Sequence, residues 1–472
     1  MSIRTRSPDG VVSRRPDSWR WLPLLLGVVA AVALVRPSAA VPAFNRQTGQ
    51  NCVACHAGGQ FPELTAYGRL FKLTGYTLGT RDVPLSVMGV AGYTRTDHTG
   101  GQDPANFPKN GAATFQGGSV FVAGKVTDNV GAFVQITYDN YAQQNDQGQF
   151  VGHTSSDNMD FRYADRLIDT HRDLIFGATF NNNPTVQDPW NSTPAWAYPY
   201  VQSSFQVSPS TGGPLLAGDL AQQVAGAGGY LFWNRTLYAE VSLYRTANGF
   251  WSFVSQGTGN SDQTKLKGAN PYWRLALSHD WGAHSAMVGV FGLEARVYPD
   301  NEDPTGDTNR SHDIGIDAQY QYVLDPHAIT VTASYIHEKT TWAPQLVDEG
   351  AVSNPSDTLN QFKLKGSYVY GAHYGGSLTY FRIGGSTDQA LYGGGVDETG
   401  TPLGSPVAGN LAGAPKTDGI IGEVFWIPVQ WVRIGAQYWA YKHFNGASTN
   451  YDGFGRNARD NNTLFVYVWG AY

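Results

Sequence analysis

The chain has 472 residues, of which 41% are hydrophobic, 13% aromatic and 15% charged, and its formal net charge is −6. Its 56 glycines, many aromatic residues and only four methionines suit antiparallel strands better than a helical core. Beyond the N-terminus no apolar run approaches the roughly 20 residues that a membrane-spanning helix needs, which excludes a helical membrane protein. An acidic chain without a nucleic-acid-binding motif is not expected to bind nucleic acid.

Residues 1–40 have the pattern of a secretory signal peptide. Five arginines precede an apolar stretch at residues 21–35, and Ser38-Ala39-Ala40 offers small residues for cleavage. A twin-arginine signal at Arg14-Arg15 is an alternative, although no apolar pair follows it. Removal of residues 1–40, which carry six arginines and two aspartates, leaves a mature chain with a formal charge of −10.

The two cysteines of the chain belong to one motif, Cys52-Val53-Ala54-Cys55-His56. C-x-x-C-H is the attachment sequence of c-type haem, because two thiols add to the porphyrin vinyl groups and the adjacent imidazole binds the iron. A redox C-x-x-C would need a βαβ setting, and a zinc site would need further cysteine or histidine, which residues 57–87 lack. We therefore predict one covalently attached haem c, held by Cys52, Cys55 and His56.

The segment after the motif predicts a short helix that covers the cofactor. Leu64, Tyr67 and Phe71 recur at helical spacing, and a helix this short needs an apolar partner, for which the porphyrin face is the candidate. Arg69 and Lys72 lie on the same helix. Both are candidates to pair with the haem propionates, and an ordinary solvated position is the alternative for each.

Met88 is the candidate for the second axial ligand. It lies in an alternating segment whose polar face, with Ser86 and Gly92, would point into a barrel lumen. A methionine thioether on the iron raises the reduction potential. The metal ligands are thus predicted to be His56 and Met88, with His98 or an open position as the alternatives.

From residue 84 onward the hydrophobic period is two, with one apolar and one polar face per segment of about ten residues. The segments 237–243, 314–322 and 432–438 are examples. This pattern is typical of strands that turn an apolar face to lipid and a polar face to a lumen, although a soluble sandwich also alternates. We count about 16 strands, an even number, as bacterial barrels require.

Short and long connections alternate along these strands. Short turns are predicted near 127–129, 169–170, 234–235, 281–282, 325–326, 372–373 and 428–429, and long loops near 97–116, 140–156, 182–220, 246–268, 298–310, 341–357, 387–416 and 443–460. The chain is therefore predicted to be an all-β outer-membrane barrel over 83–472 with a small N-terminal haem-binding plug over 41–82. Its short turns and both of its termini are expected in the periplasm.

Three segments carry a resemblance to a known family: residues 43–49 (AFNRQTG), Phe61-Pro62-Glu63-Leu64, and residues 68–76 (GRLFKLTGY). Together with the haem motif, they resemble the fused monohaem cytochrome–porins of iron-oxidising bacteria over about residues 42–80. The resemblance implies Fe(II) oxidation at the outer surface, with electrons passed to periplasmic c-type cytochromes. It carries over Cys52, Cys55 and His56 as haem-binding residues.

The sequence leaves three functions open. The first is an outer-membrane electron conduit with Fe(II) oxidase activity, of the ferrous iron:cytochrome c oxidoreductase type. The second is a conduit for another extracellular reductant, and the third is a porin-type transporter with a haem sensor or gate. The expected partners are the extracellular donor, a periplasmic cytochrome and outer-membrane lipid. The chain carries no nucleotide-binding loop, catalytic triad or flavin motif.

Overall fold

A computed structural model describes residues 42–98, 110–145, 149–196, 199–257 and 263–472. These residues fall within one compact unit that spans Ala39–Tyr472. The predicted signal peptide, residues 1–40, lies outside the described residues.

The described residues form four short helices. They are α1 (Pro42–Thr48), α2 (Cys52–Cys55), α3 (Ala66–Leu73) and α4 (Pro344–Asp348). Short 3-10 segments are also present at Pro194–Trp196, Leu215–Ala217, Gly249–Val254 and Ala458–Asn461. No helix in the described ranges has the length and apolar content to cross a membrane.

Sixteen strands make up the rest of the regular structure. They are β1 (Leu85–Thr96), β2 (Ala113–Lys125), β3 (Val130–Gln144), β4 (Phe150–Ile168), β5 (Asp173–Asn181), β6 (Val224–Trp233), β7 (Leu237–Thr246), β8 (Asn270–Trp281), β9 (His284–Val297), β10 (Asn309–Leu324), β11 (His327–Thr341), β12 (Ser356–Tyr370), β13 (Tyr374–Gly385), β14 (Thr417–Val429), β15 (Val432–His443) and β16 (Thr463–Ala471). Every strand pairs with its sequence neighbours, and β1 also pairs antiparallel with β16, so the sheet closes. The predicted all-β antiparallel barrel of 16 strands is confirmed.

Side chains alternate between the two faces of the barrel wall. On β10, Asp313, Asp317 and Gln319 face inward and are at most 3% exposed, whereas Ile314 and Ile316 face outward and are 46% and 48% exposed. The alternation has a period of two residues, because successive side chains of a strand point to opposite faces of the sheet.

The predicted order of short and long connections holds, with two corrections. The loop predicted at 140–156 spans only residues 145–149, because β3 and β4 extend to Gln144 and from Phe150. The turn predicted at Pro428-Val429 lies two residues later, since Val429 still belongs to β14. At both places the local residues are too polar or too irregular for alternation to mark the strand end.

Two segments fill the barrel interior. One is the N-terminal segment with α1 to α3, and the other is the described part of the connection of β5 to β6, residues 182–196 and 199–223, which we call the inward loop. Arg162 on β4 connects both segments to the barrel wall. Its guanidinium pairs with Asp160 of the wall at 2.7 Å, and it donates to the carbonyl of Lys72 in the N-terminal segment at 3.0 Å and to that of Gln187 in the inward loop at 2.6 Å. The N-terminal segment is thereby fixed between the barrel wall and the inward loop.

Candidate functional site

The C-x-x-C-H motif forms α2 and is held against α3 by backbone contacts. The amide of Thr65 donates to the carbonyl of Cys55 at 2.9 Å, and the Thr65 hydroxyl donates to the carbonyl of Ala54. Thr65 also caps α3, because its side chain accepts from the amide of Gly68. Both cysteines are therefore fixed relative to the helix that follows them.

Gly68 allows this close packing of α3 on the motif. A Cβ atom at residue 68 would lie 2.1 Å from the carbonyl oxygen of Cys55. This oxygen belongs to the backbone, so a change of side-chain rotamer cannot relieve the clash. The requirement at this position is for the absence of a side chain, since Gly68 lies within α3 and does not have a positive φ.

Replacement of Gly68 with alanine is expected to loosen the motif from α3. We expect the protection of the Thr65 amide against hydrogen exchange to fall by about 3 kcal/mol, the upper end of the cost of overpacking. Gly366→Ala is the matched control, because its Cβ would meet no atom within 4 Å. Unchanged exchange at Thr65 in Gly68→Ala would show that the contact does not hold the motif.

A cavity of about 420 Å³ lies beside the motif, within the size range of cofactor pockets. Cys52, Cys55 and His56 line it. Its remaining wall is rich in aromatic side chains contributed by the N-terminal segment, the barrel and the inward loop, namely Phe44, Phe61, Phe71, Tyr76, Phe121, Phe133, Trp196, Tyr200 and Trp469. A flat apolar ligand would be covered on several sides by these rings.

His56 is present in the form that binds a metal. Burial lowers the pKa of its imidazole to about 4, against a smaller opposing effect of Glu63, so the ring is neutral at neutral pH. Its Nδ1 atom is buried and has no hydrogen-bond partner within the described residues. Burial also raises the pKa of the Cys55 thiol to about 11, which keeps the sulfur protonated unless it is bonded.

Met88 lines the same cavity as His56, on the inner face of β1. Like Phe61 and Val90, it packs against a buried cluster that includes Trp469. Two thiols, an imidazole and a thioether around one aromatic cavity are a donor set that suits a haem c with histidine and methionine ligands. His98, the alternative ligand, follows the opposite end of β1, is exposed, and does not line the cavity.

Arg69 is directed away from the cavity. Its guanidinium pairs with Asp280 at 2.7 Å and donates to Gln321 at 3.0 Å and Ser285 at 2.8 Å, all on the barrel wall. The prediction that Arg69 pairs with a propionate is not supported, since this buried side chain already has a carboxylate partner. The helical spacing could not reveal that partner, which lies more than 200 residues away in the sequence.

Lys72 does line the cavity. Its ammonium donates to the carbonyls of Val186 and Asp188 and to Asn191 Oδ1 at 2.7–2.8 Å, and it lies 4.4 Å from the centre of the Trp196 ring. Burial, followed by repulsion from Arg162, lowers the pKa of Lys72 to about 7. Lys72 thus anchors the inward loop, and its predicted pairing with a propionate stays a prediction.

The face of α3 at the cavity differs by one position from the predicted stripe. Leu64, Gly68 and Phe71 line the cavity, whereas Tyr67 does not. Helical spacing favours the large Tyr67 at this place, but the close approach of α3 to the motif requires glycine, the smallest residue. Sequence reasoning also missed the aromatic wall, although Phe121, Phe133 and Trp469 could have been found as inward positions of their strands.

Comparisons with known proteins add likenesses of shape only. The outer-membrane channel DcaP of Acinetobacter baumannii is 13% identical, with a TM-score of 0.46 over 83% of this chain and 97% of that one. Salmonella typhi OmpF, in a complex with daunomycin, is 10% identical (TM-score 0.44; 82% and 97%), and OmpT of Vibrio cholerae is 9% identical (0.41; 82% and 96%). No protein-family model and no curated protein matches the chain. The closed barrel is established by its own strand pairing.

Proposed function

We propose that this chain is an outer-membrane monohaem cytochrome barrel that moves single electrons from extracellular Fe(II) to a periplasmic c-type cytochrome. The observation that carries the proposal is the meeting of Cys52, Cys55, His56 and Met88 at one aromatic cavity inside a closed barrel. A bound haem c would supply a one-electron carrier at this place. The resemblance of residues 42–80 to the cytochrome–porins of iron-oxidising bacteria agrees with it.

The outer face of the barrel supports a position in the bacterial outer membrane. Apolar side chains on it are widely exposed, including Val241 (58%), Leu277 (54%) and Val424 (66%). Such a belt is costly in water at about 25 cal/mol per Å², and lipid removes that cost. Exposed Trp281 and Tyr374 flank the belt at the short turns, as interfacial aromatic residues do. By the usual orientation, the short turns and both termini lie in the periplasm.

The filled interior favours electron transfer over solute transport. A 16-stranded porin leaves an aqueous channel, but here the inward-facing Tyr238, Tyr244, Tyr272 and Phe291 are completely buried under the inward loop. An electron can cross such an interior, whereas a hydrated solute needs an open path. Each Fe(II) becomes Fe(III) outside the cell, and one oxidised periplasmic cytochrome becomes reduced.

The choice of Fe(II) as the donor has a different basis from the electron route. The acidic mature chain attracts cations over anions. Within the ranges that the structure describes, no group of three or more His, Cys, Asp or Glu side chains is placed to hold a metal ion. The donor class therefore rests on charge and on the resemblance.

Anaerobic mixing of Fe(II) with the purified, oxidised protein tests the proposal. We expect prompt growth of the reduced α-band of a c-type haem. Reduction by an organic reductant but not by Fe(II) would contradict the donor. An absence of reduction by either, together with solute flux through liposomes that contain the protein, would contradict the electron conduit and favour the transporter. The double variant Cys52→Ala/Cys55→Ala is the control for colour that does not depend on attached haem.

A further inference from the structure

A groove of about 490 Å³ opens on the outer face of the barrel, near the ends of β5 to β7 that carry long loops. Its floor consists of outward-facing Ala225 and Ala227 on β6, where most outward positions of neighbouring strands hold larger side chains. Phe180 and Trp251 form one wall, with ring centres 5.2 Å apart, and Leu243 stands on the other side. We call this feature the lateral groove.

The 3-10 turn Gly249–Val254 explains how the groove arises. This turn folds back over the outer face, where Trp251 and Val254 pack with Met159 and Ala225. The turn covers Ala225, which is only 4% exposed, whereas Ala227 further along β6 stays exposed. Phe250, which belongs to the same turn, is 81% exposed, so the turn adds apolar surface beside the groove.

Three outward-facing arginines lie in one row beside the groove. Arg245 on β7 comes directly after Tyr244, whose pairing partner on β8 is Asn270. The side-chain oxygen of Asn270 accepts a hydrogen bond from the amide of Arg296 on β9. Arg296 lies directly opposite Arg310 on β10. All three arginines are exposed, and no ion pair of their side chains is found among the described residues. Like charges directly opposite each other on adjacent strands are destabilising unless an anion lies between them.

The acidic side chains near this row leave the arginines unneutralised. Glu294, one outward position below Arg296, is 3.5 Å from His312. The loop that joins β9 to β10 carries exposed acidic residues, of which Asp300 binds the amides of Glu302 and Asp303. In the described residues none of these carboxylates lies within ion-pair distance of Arg296 or Arg310.

We propose that the lateral groove and the arginine row form a binding site for a phosphorylated lipid of the outer leaflet. An acyl chain would fill the groove over Ala227, between Trp251 and Leu243, and the guanidinium groups would contact the headgroup phosphates. Lipid is the occupant because the groove opens on the apolar outer face, and a phosphate is the group that opposed arginines bind. This inference uses the proposed membrane position but not the proposed electron transfer.

The test uses the purified protein in a zwitterionic detergent, titrated with diphosphorylated lipid A or with phosphatidylcholine and observed by native mass spectrometry. We expect one lipid A to be retained at least tenfold more tightly than phosphatidylcholine. Ala227→Phe, which fills the groove, and the triple variant Arg245→Gln/Arg296→Gln/Arg310→Gln should each lose this preference. Ala318→Phe on the open face of β10 and Arg95→Gln on β1 are the matched controls and should keep it.

Equal retention of both lipids by the unmodified protein would overturn the proposal, as would full lipid A retention by the triple variant. Competition by millimolar inorganic phosphate alone would mean a free anion site instead of a lipid site. The haem spectrum should be the same in all these variants. If the unmodified protein has a normal haem spectrum but no preference for lipid A, the lipid site is rejected and the proposed electron transfer is unaffected.

Discussion

Replacement of both Cys52 and Cys55 with alanine should give a colourless protein that still folds as a barrel. The two thiols are the residues that can bond the porphyrin covalently, and the chain has no other cysteine. The strand pairing that closes the barrel does not involve either residue. We expect complete loss of haem staining on a denaturing gel, and a mass for the mature chain that is lower by one haem.

The folded barrel can be followed separately by its faster migration on an unheated gel. That band should persist in the double variant. His98→Ala is the matched control, because His98 is exposed and lies away from the cavity, and it should keep full staining. Haem staining that survives in the double variant, or an unmodified protein that carries no haem, would remove the basis of the proposed function.

Replacement of Met88 with leucine should remove the distal ligand while it conserves the volume of the side chain. Leucine fills a methionine site at little packing cost but offers no sulfur. We expect loss of the methionine-to-iron charge-transfer band of the oxidised protein. The reduction potential should fall by roughly 100 mV, a modest part of the ~0.8 V range over which axial ligands set it.

Met287→Leu is the control for this experiment. Met287 also faces the interior and is 4% exposed, but it packs in another cluster and does not line the cavity. Its variant should keep both the band and the potential. Met88→His should restore six-coordination at a potential below that of the unmodified protein. An unchanged spectrum in Met88→Leu would show that the distal ligand is another group or is absent.

The barrel could be predicted from the sequence because lipid and lumen impose opposite demands on alternate residues. Segments such as 314–322 record that alternation directly, and the connections between them give the order of short and long loops. The prediction failed at residues 140–156, where β3 and β4 run on as a polar hairpin. Where a strand extends beyond the lipid, neither face has to be apolar, so the sequence pattern disappears although the backbone pairing continues.

The sequence predicted which sulfur and imidazole side chains would meet at the candidate site, and predicted less of their surroundings. The spacing of Cys52, Cys55 and His56 by itself predicts haem attachment. The alternation of side chains along β1 predicted that Met88 lies on the inner face. The partners of Arg69 and Lys72 could not be foreseen, because Asp280 and the inward loop reach them only through the closure of the barrel. The role of Gly68 was also hidden, since the close approach to Cys55 is a contact between two backbones.

The seam of the barrel has a consequence for assembly. β1 carries Met88, and it pairs with β16 at the other end of the chain, with Met88 opposite Ala471. With Met88 as the distal ligand, the haem iron would be bound from the strand whose pairing with β16 closes the barrel. The visible spectrum would then report whether β1 and β16 have paired. A variant without β16 should carry attached haem that lacks the methionine-to-iron charge-transfer band.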